Sequence, residues 1–219
     1  MSSSMNSVKA SAAPVREQRL TVKHLGRVEY EPTWRAMQAF TRDRSPATAD
    51  ELWLLQHPPL YTLGIAARTA HLPRNRHDIP VVRIDRGGQI TYHAPGQVIG
   101  YLLLDMKRRN LTVRPLVRLM EMAVIDLLAD YGIRAGNRVE APGVYVGVAK
   151  IAAVGLRVTR GCCYHGLALN VDMDLSPFAA IDPCGYPGLA VTQLKDLGVS
   201  DSAQRVSHEL ARHLERLLA

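Results

Sequence analysis

The chain has 219 residues, 47% of them hydrophobic and 5% aromatic, with a net charge of +7; that is enough for one sizeable α/β domain with a real core. No apolar run reaches the length of a membrane span, and the longest, VIGYLLLDM (98–106), reads as a buried strand. The basic balance suits solubility or an acidic partner. Scattered Lys and Arg with few aromatics argue against a nucleic-acid platform, Lys107-Arg108-Arg109 being the one run.

Residues 1–20 are rich in Ser and Ala, lack a periodic apolar face and carry two of the seven net charges. They read as a disordered extension without the apolar segment of a secretory signal, ahead of a single domain over 21–219. The pattern predicts a strand over 20–30, then a helix opening at Pro32 with Trp34, Met37 and Phe40 at helical spacing. ELWLLQHP (51–58) is a short strand that stops at Pro58-Pro59 and resumes in YTLG; residues 65–80 have no period and read as a long surface loop. Three strands are expected over 81–106, punctuated by Gly-Gly and Ala-Pro-Gly.

A strong helix follows, with Thr112 as N-cap, Val113, Leu116, Val117, Met120, Val124, Leu127 and Leu128 on its buried face, and Gly132 as its stop. Strands are expected over 143–146, 150–160 and 164–174, a short helix over SPFAAI, the start of another within AVTQLKDLG (190–198), and a last helix over 202–218. This order implies a mixed β-sheet with helices packed on it, an α/β (α+β) layer fold. Cys162, Cys163 and Cys184 make an odd count without a secretory signal, which points to free thiols in a reducing cytoplasm.

Four stretches carry candidate chemistry. In RGGQITYHAPGQ (86–97), two glycines expose backbone N–H groups and admit a ligand chain, with Arg86 beside them and His93 at the strand end. An ordinary bulge and turn, with His93 partly exposed, explains the same residues. In AKIAAVGLR (149–157), Lys150 opens an apolar strand, either at the rim of a pocket or pointing to solvent, and Gly155 suggests close approach by another backbone. YHGLALN (164–170) sets His165 and Gly166 on an apolar strand. In DPCGYPG (182–188), Cys184 between Pro183 and Gly185 is either a presented nucleophile or a small buried hydrophobe. Neither GxxxxGK[ST] nor GxGxxG before a helix is present, and the His and Cys spacings do not make a zinc site.

Taken together, in this order and at these separations, RGGQITYHAPGQ, KIAAVGLRV, HGLALN and PCG resemble the lipoyl(octanoyl) transferases over about residues 22–200. The resemblance implies the fold of biotin and lipoate protein ligase catalytic domains. It implies a Cys184–Lys150 pair that forms an acyl-thioester, and acyl-binding segments at Arg86, Gly87, Gly88, Gln89, Ile90, Thr91, Tyr92 and His93, at Ala153, Val154 and Gly155, and at Gly166, Leu167 and Ala168. The implied donor is octanoyl-acyl carrier protein. The implied acceptors are lysines of lipoyl domains in 2-oxoacid dehydrogenase complexes and of the glycine cleavage H protein, with no cofactor or metal and no nucleic-acid or membrane partner. The rivals are an ATP-dependent lipoate or biotin ligase on the same fold, and a non-enzymatic lipid- or protein-binding module.

Overall fold

A computed structural model of the chain describes residues 20–68, 72–74, 78–182 and 188–219. The N-terminal extension lies outside the described residues except for Leu20, and so does Cys184. Strand β1 (Leu20–Arg27) ends three residues before the expected limit because helix α1 (Tyr30–Arg42) already begins at Tyr30. Pro32 therefore sits inside the first turn, where a missing N–H breaks no helical bond. After β2 (Asp50–Gln56), the Pro58-Pro59 pair does more than interrupt a strand. It redirects the chain, so that β3 (Leu60–Leu63) belongs to a second sheet.

The elements that follow are β4 (Val81–Arg83), β5 (Ile90–His93), β6 (Gln97–Asp105), α2 (Val113–Asp130), β7 (Gly136–Asn137), β8 (Val144–Val146), β9 (Ala149–Thr159), β10 (Cys162–Asn170) and α3 (Ala203–Leu218). The strand expected over 164–174 starts earlier and ends at Asn170. The helix expected within 190–198 is only a 3₁₀ turn at Lys195–Leu197, stopped by Gly198 in the left-handed region. Before it, Val191 forms a parallel bridge to Lys150.

The larger sheet has the order β1-β2-β6-β10-β9-β8-β7, with β1 parallel to β2 and the remaining pairs antiparallel; the smaller has the order β4-β3-β5. This is the mixed sheet that the element order implied. Two-residue alternation along β6 divides its side chains between two cores. Val98, Leu102 and Leu104 pack with Leu116, Met120 and Leu127 of α2 and Leu210 and Leu214 of α3. Ile99, Tyr101 and Leu103 face the other way, against Met37 of α1. Val113 is exposed rather than part of the α2 face, and the polar Glu121 is buried on that helix. Arg108 and Arg109 are spent on an internal contact: both bind the Asp50 carboxylate, at 2.6 and 2.5 Å.

Candidate active site

The small sheet lies over the α1 side of the large one, and a cleft of about 520 Å³, partly open to solvent, forms between them. Its walls come from three stretches: Arg86 and Gly88 to Thr91 with His93, then Ala153 to Gly155, then Gly166 to Ala168. Tyr30, Ile99, Tyr101 and His165 complete it. Two residues of the expected set are not on the walls. Tyr92 alternates to the opposite face of β5, where it packs between Tyr61 and Phe178. Gly87 is behind the wall, its N–H donating to Leu156 O at 2.9 Å.

Gly155 does meet another backbone: a Cβ there would come within 3.2 Å of Gly87 O and 3.3 Å of Arg86 Cδ. The 86–89 loop is thus seated directly on β9. Arg86 is fixed in turn, donating through Nη1 to Gly87 O and through Nη2 to both Thr62 O and Thr62 Oγ1, each at 2.9 Å.

His93 is buried, not a partly exposed turn residue. Its Nδ1–H donates to Gln97 Oε1 at 2.8 Å, and Nε2 accepts from the Thr62 hydroxyl at 3.3 Å. Burial, the neighbouring His57 and Arg86 lower its pKa to about 3 despite the Gln97 bond. His57 is likewise neutral, its pKa lowered by burial to about 4, with Nδ1–H donating to Val28 O at 2.7 Å and Nε2 accepting from Tyr101 OH at 2.9 Å.

His165 departs from strand geometry. Its φ of +65° breaks the alternation of β10 and brings the ring beside Tyr164 and Tyr101 and onto Asp85, to which Nε2–H donates at 3.2 Å. Burial lowers the His165 pKa, so this contact is a hydrogen bond from a neutral imidazole. Asp85 also accepts from Trp34 Nε1 at 2.8 Å, Gln38 Nε2 at 3.2 Å and Tyr164 OH.

A smaller cavity of about 300 Å³ adjoins the cleft and shares Thr91, Ala153 and Ala168 with it. Lys150, Gln97, Asn170 and Val191 line it. Lys150 is only 4% exposed, which excludes the solvent-pointing reading. Its Nζ donates to Pro142 O at 3.1 Å and stands 5.2 Å from the centre of the Tyr145 ring. Both contacts suit an ammonium.

Sequence reasoning missed the polar chain between the two cavities. Arg86 bonds Thr62, Thr62 bonds His93, His93 bonds Gln97, and Gln97 Nε2 donates to Asn170 Oδ1 at 2.9 Å. Asn170 Nδ2 then donates to Thr192 O at 3.0 Å, and Thr192 N to Lys150 O at 3.0 Å. The signal was available: Gln97 and Asn170 are amides at the ends of otherwise apolar strands, where burial demands partners. Among the described residues no cluster of three or more His, Cys, Asp or Glu side chains is arranged to hold a metal, and no helix is long and apolar enough to cross a membrane.

Two structural likenesses define the fold. A lipoate-protein ligase A bound with ATP superposes over 92% of this chain and 85% of its own, with a TM-score of 0.72 at 18% identity. The biotin protein ligase from Aquifex aeolicus in complex with biotin and ATP covers 90% of this chain and 70% of its own, with a TM-score of 0.60 at 14% identity. The architecture is therefore the lipoate- and biotin-ligase fold.

Sequence comparison narrows the class. Residues 29–215 match the lipoyl protein ligase A/B catalytic domain. An octanoyltransferase from Azoarcus sp. (strain BH72) is 63% identical over 91% of this chain and 88% of its own length; one from Thiobacillus denitrificans is 62% identical over 91% of each. The chain belongs to the lipoyl protein ligase A/B catalytic-domain family and, within it, to the octanoyltransferases. It is an acyltransferase that transfers octanoyl groups in protein lipoylation.

Proposed function

We propose that the chain takes the octanoyl group from octanoyl-acyl carrier protein as a thioester on Cys184 and passes it to a lysine of a lipoyl domain. The observation that carries this reading is convergence: the 86–93 segment and the β9 and β10 segments that follow it by 60 residues or more wall one cleft, and the buried Lys150 lines the cavity beside it. Ile99, Ala153 and Ala168 supply apolar wall for the alkyl chain, whereas the side chains of Val154 and Leu167 pack toward α2 and α3 on the other face of the sheet.

Cys184 lies outside the described residues, but both flanks of its segment are anchored. Asp182 accepts a two-pronged contact from Arg74 at 3.2 Å, and Ala190 O accepts from Lys150 N at 2.8 Å. The chain leaving the cysteine segment therefore runs alongside Lys150.

In the proposed cycle the Lys150 ammonium holds Cys184 as a thiolate. The thiolate attacks the thioester carbonyl, forming the Cys184 S–C bond and breaking the carrier's, and Lys150 gives its proton to the departing carrier thiolate. The neutral Lys150 then takes a proton from the acceptor lysine as its nitrogen attacks the acyl-enzyme; the amide forms and the thiolate–ammonium pair returns. His93 does not suit the relay, since both its ring nitrogens are committed and its pKa is about 3. Gly87 does not suit an oxyanion site, its N–H being bonded to Leu156 O.

Residues 21–219 act as one catalytic domain in this reading. The acceptors are lipoyl domains of 2-oxoacid dehydrogenase complexes and the glycine cleavage H protein. The free thiols of Cys162 and Cys163 fit a reducing cytoplasm.

Mass spectrometry after incubation with octanoyl-acyl carrier protein, without ATP, tests the proposal. An octanoyl adduct on Cys184, absent from Cys184→Ser, is expected. No adduct, or one that Cys184→Ser leaves unchanged, would sink the mechanism and favour an ATP-dependent ligase.

A further inference from the structure

Glu121 is 3% exposed, on α2, and lies outside both cavity walls. A carboxylate so placed must be hydrogen-bonded, and it is: Oε1 accepts from Gly143 N at 2.8 Å and Oε2 from Asn137 Nδ2 at 2.5 Å. Those two donors bracket the turn between β7 and β8. The carbonyl one residue before Gly143, that of Pro142, is the one that receives the Lys150 ammonium.

The rest of the turn has little freedom. Gly143 has φ of +133°, and a Cβ there would lie 2.5 Å from Ala152 O and 3.2 Å from Lys150 Cε. Only glycine fits against β9 at that point. Tyr145, whose ring faces Lys150, donates through its hydroxyl to Ala141 O at 2.8 Å. Glu121 thus joins the turn to the two-helix layer, and its reach across to Gly143 N and Asn137 Nδ2 is what ties that turn to α2.

We infer that Glu121 is a positioning residue for acyl transfer: by holding Gly143 and Asn137 it sets the Pro142 carbonyl, and through that carbonyl the place of the Lys150 ammonium. The inference rests on the reading of Lys150 as the partner of Cys184. Displacing a reacting group by about 1 Å costs on the order of 100-fold in rate, so a side chain that never touches substrate commands a large effect here.

Four variants test it: Glu121→Ala, Glu121→Asp, Glu121→Gln and Lys150→Ala. Each is assayed below its own melting temperature for octanoyl transfer and for the pH dependence of Cys184 alkylation. Glu121→Asp keeps the charge but stops one methylene short. Glu121→Gln keeps the reach, its oxygen accepting from Gly143 while a turned-over Asn137 amide meets its nitrogen.

Glu121→Ala and Glu121→Asp are expected to lose about 100-fold in kcat, with KM for the carrier little changed and the midpoint of thiol alkylation moved to higher pH. Glu121→Gln is expected to keep most activity. If Glu121→Ala does not fold, Glu121→Asp decides alone. Wild-type turnover and an unmoved alkylation profile in either, with Lys150→Ala inactive, overturn the positioning role only. Glu121→Gln as inactive as Glu121→Ala also overturns it, because charge and not reach would then matter. Wild-type turnover in Lys150→Ala overturns the underlying reading and this inference with it.

Discussion

Asp50 and Asp85 are both carboxylates that gather four hydrogen-bond donors, yet they do different jobs. Asp50 opens β2 at 1% side-chain exposure and is closed in by Arg44, Arg108 and Arg109, with the Asp105 N–H at 2.8 Å. Asp85 is 25% exposed and is surrounded by neutral donors from α1 and β10: Trp34, Gln38, Tyr164 and His165. Burial pushes both carboxyls up, and the hydrogen bonds outweigh it. Asp50 ends below its usual value with help from the arginines, and Asp85 ends far below. Full charges in planar forks make a knot that ties β2, the turn after β6 and the end of α3 together. Neutral donors instead orient rings at a cleft. A buried carboxylate becomes part of a site when its partners border a cavity, not because it is buried.

Removing one member of each cluster breaks the comparison open. Asp50→Ala leaves three guanidinium groups without their shared anion, so a loss of about 3–5 kcal/mol is expected. That is a drop of roughly 10 °C in Tm, seen by thermal denaturation, with octanoyl transfer intact below the transition. Asp85→Asn keeps the shape but weakens four charge-assisted bonds. About 1–3 kcal/mol is expected, together with a fall in octanoyl transfer, because Tyr101 and His165 at the cleft lose their alignment. Equal activity losses in the two variants would erase the distinction.

The smallest effect separates the regions by pH. His57 and His93 have folded pKa values below 6.5, at about 4 and about 3, so the unfolded chain binds more protons in the window between. Their contribution is present above pH 6.5 and is lost as pH falls below it. Lowering pH from 7.5 to 6 is expected to remove about 1–2 kcal/mol, a few degrees of Tm. Asp50→Ala should lower the whole profile without changing its slope, since no imidazole belongs to that knot.

Much of this was legible in the sequence because its carriers are local. Apolar spacing in 113–128 and 203–218 marks helices, and RGGQITYHAPGQ and HGLALN mark two cleft walls without any knowledge of their packing. What was not legible depends on partners distant in sequence. Pro58-Pro59 signals a break, but not that the chain crosses into another sheet. His165 reads as one more strand residue until its backbone turns. Glu121 looks like a polar interruption of an apolar face, because its donors, Asn137 and Gly143, come 16 and 22 residues later. Tyr92 falls inside the segment Arg86–His93 that the family resemblance implies, and strand alternation turns its ring to the other face.

The division into two sheets has a consequence for how such a chain can change over generations. Thr91 and His93 hang from the three-stranded unit, whereas Lys150, Val154 and Leu167 belong to the seven-stranded one. No ladder of backbone bonds runs from one unit to the other among the described strands. Substitutions that reshape one wall need not disturb the register of the strand bearing the lysine. The part of the acyl-facing wall on the smaller sheet is therefore heritably separable from the lysine, while the part on β9 shares a strand with it.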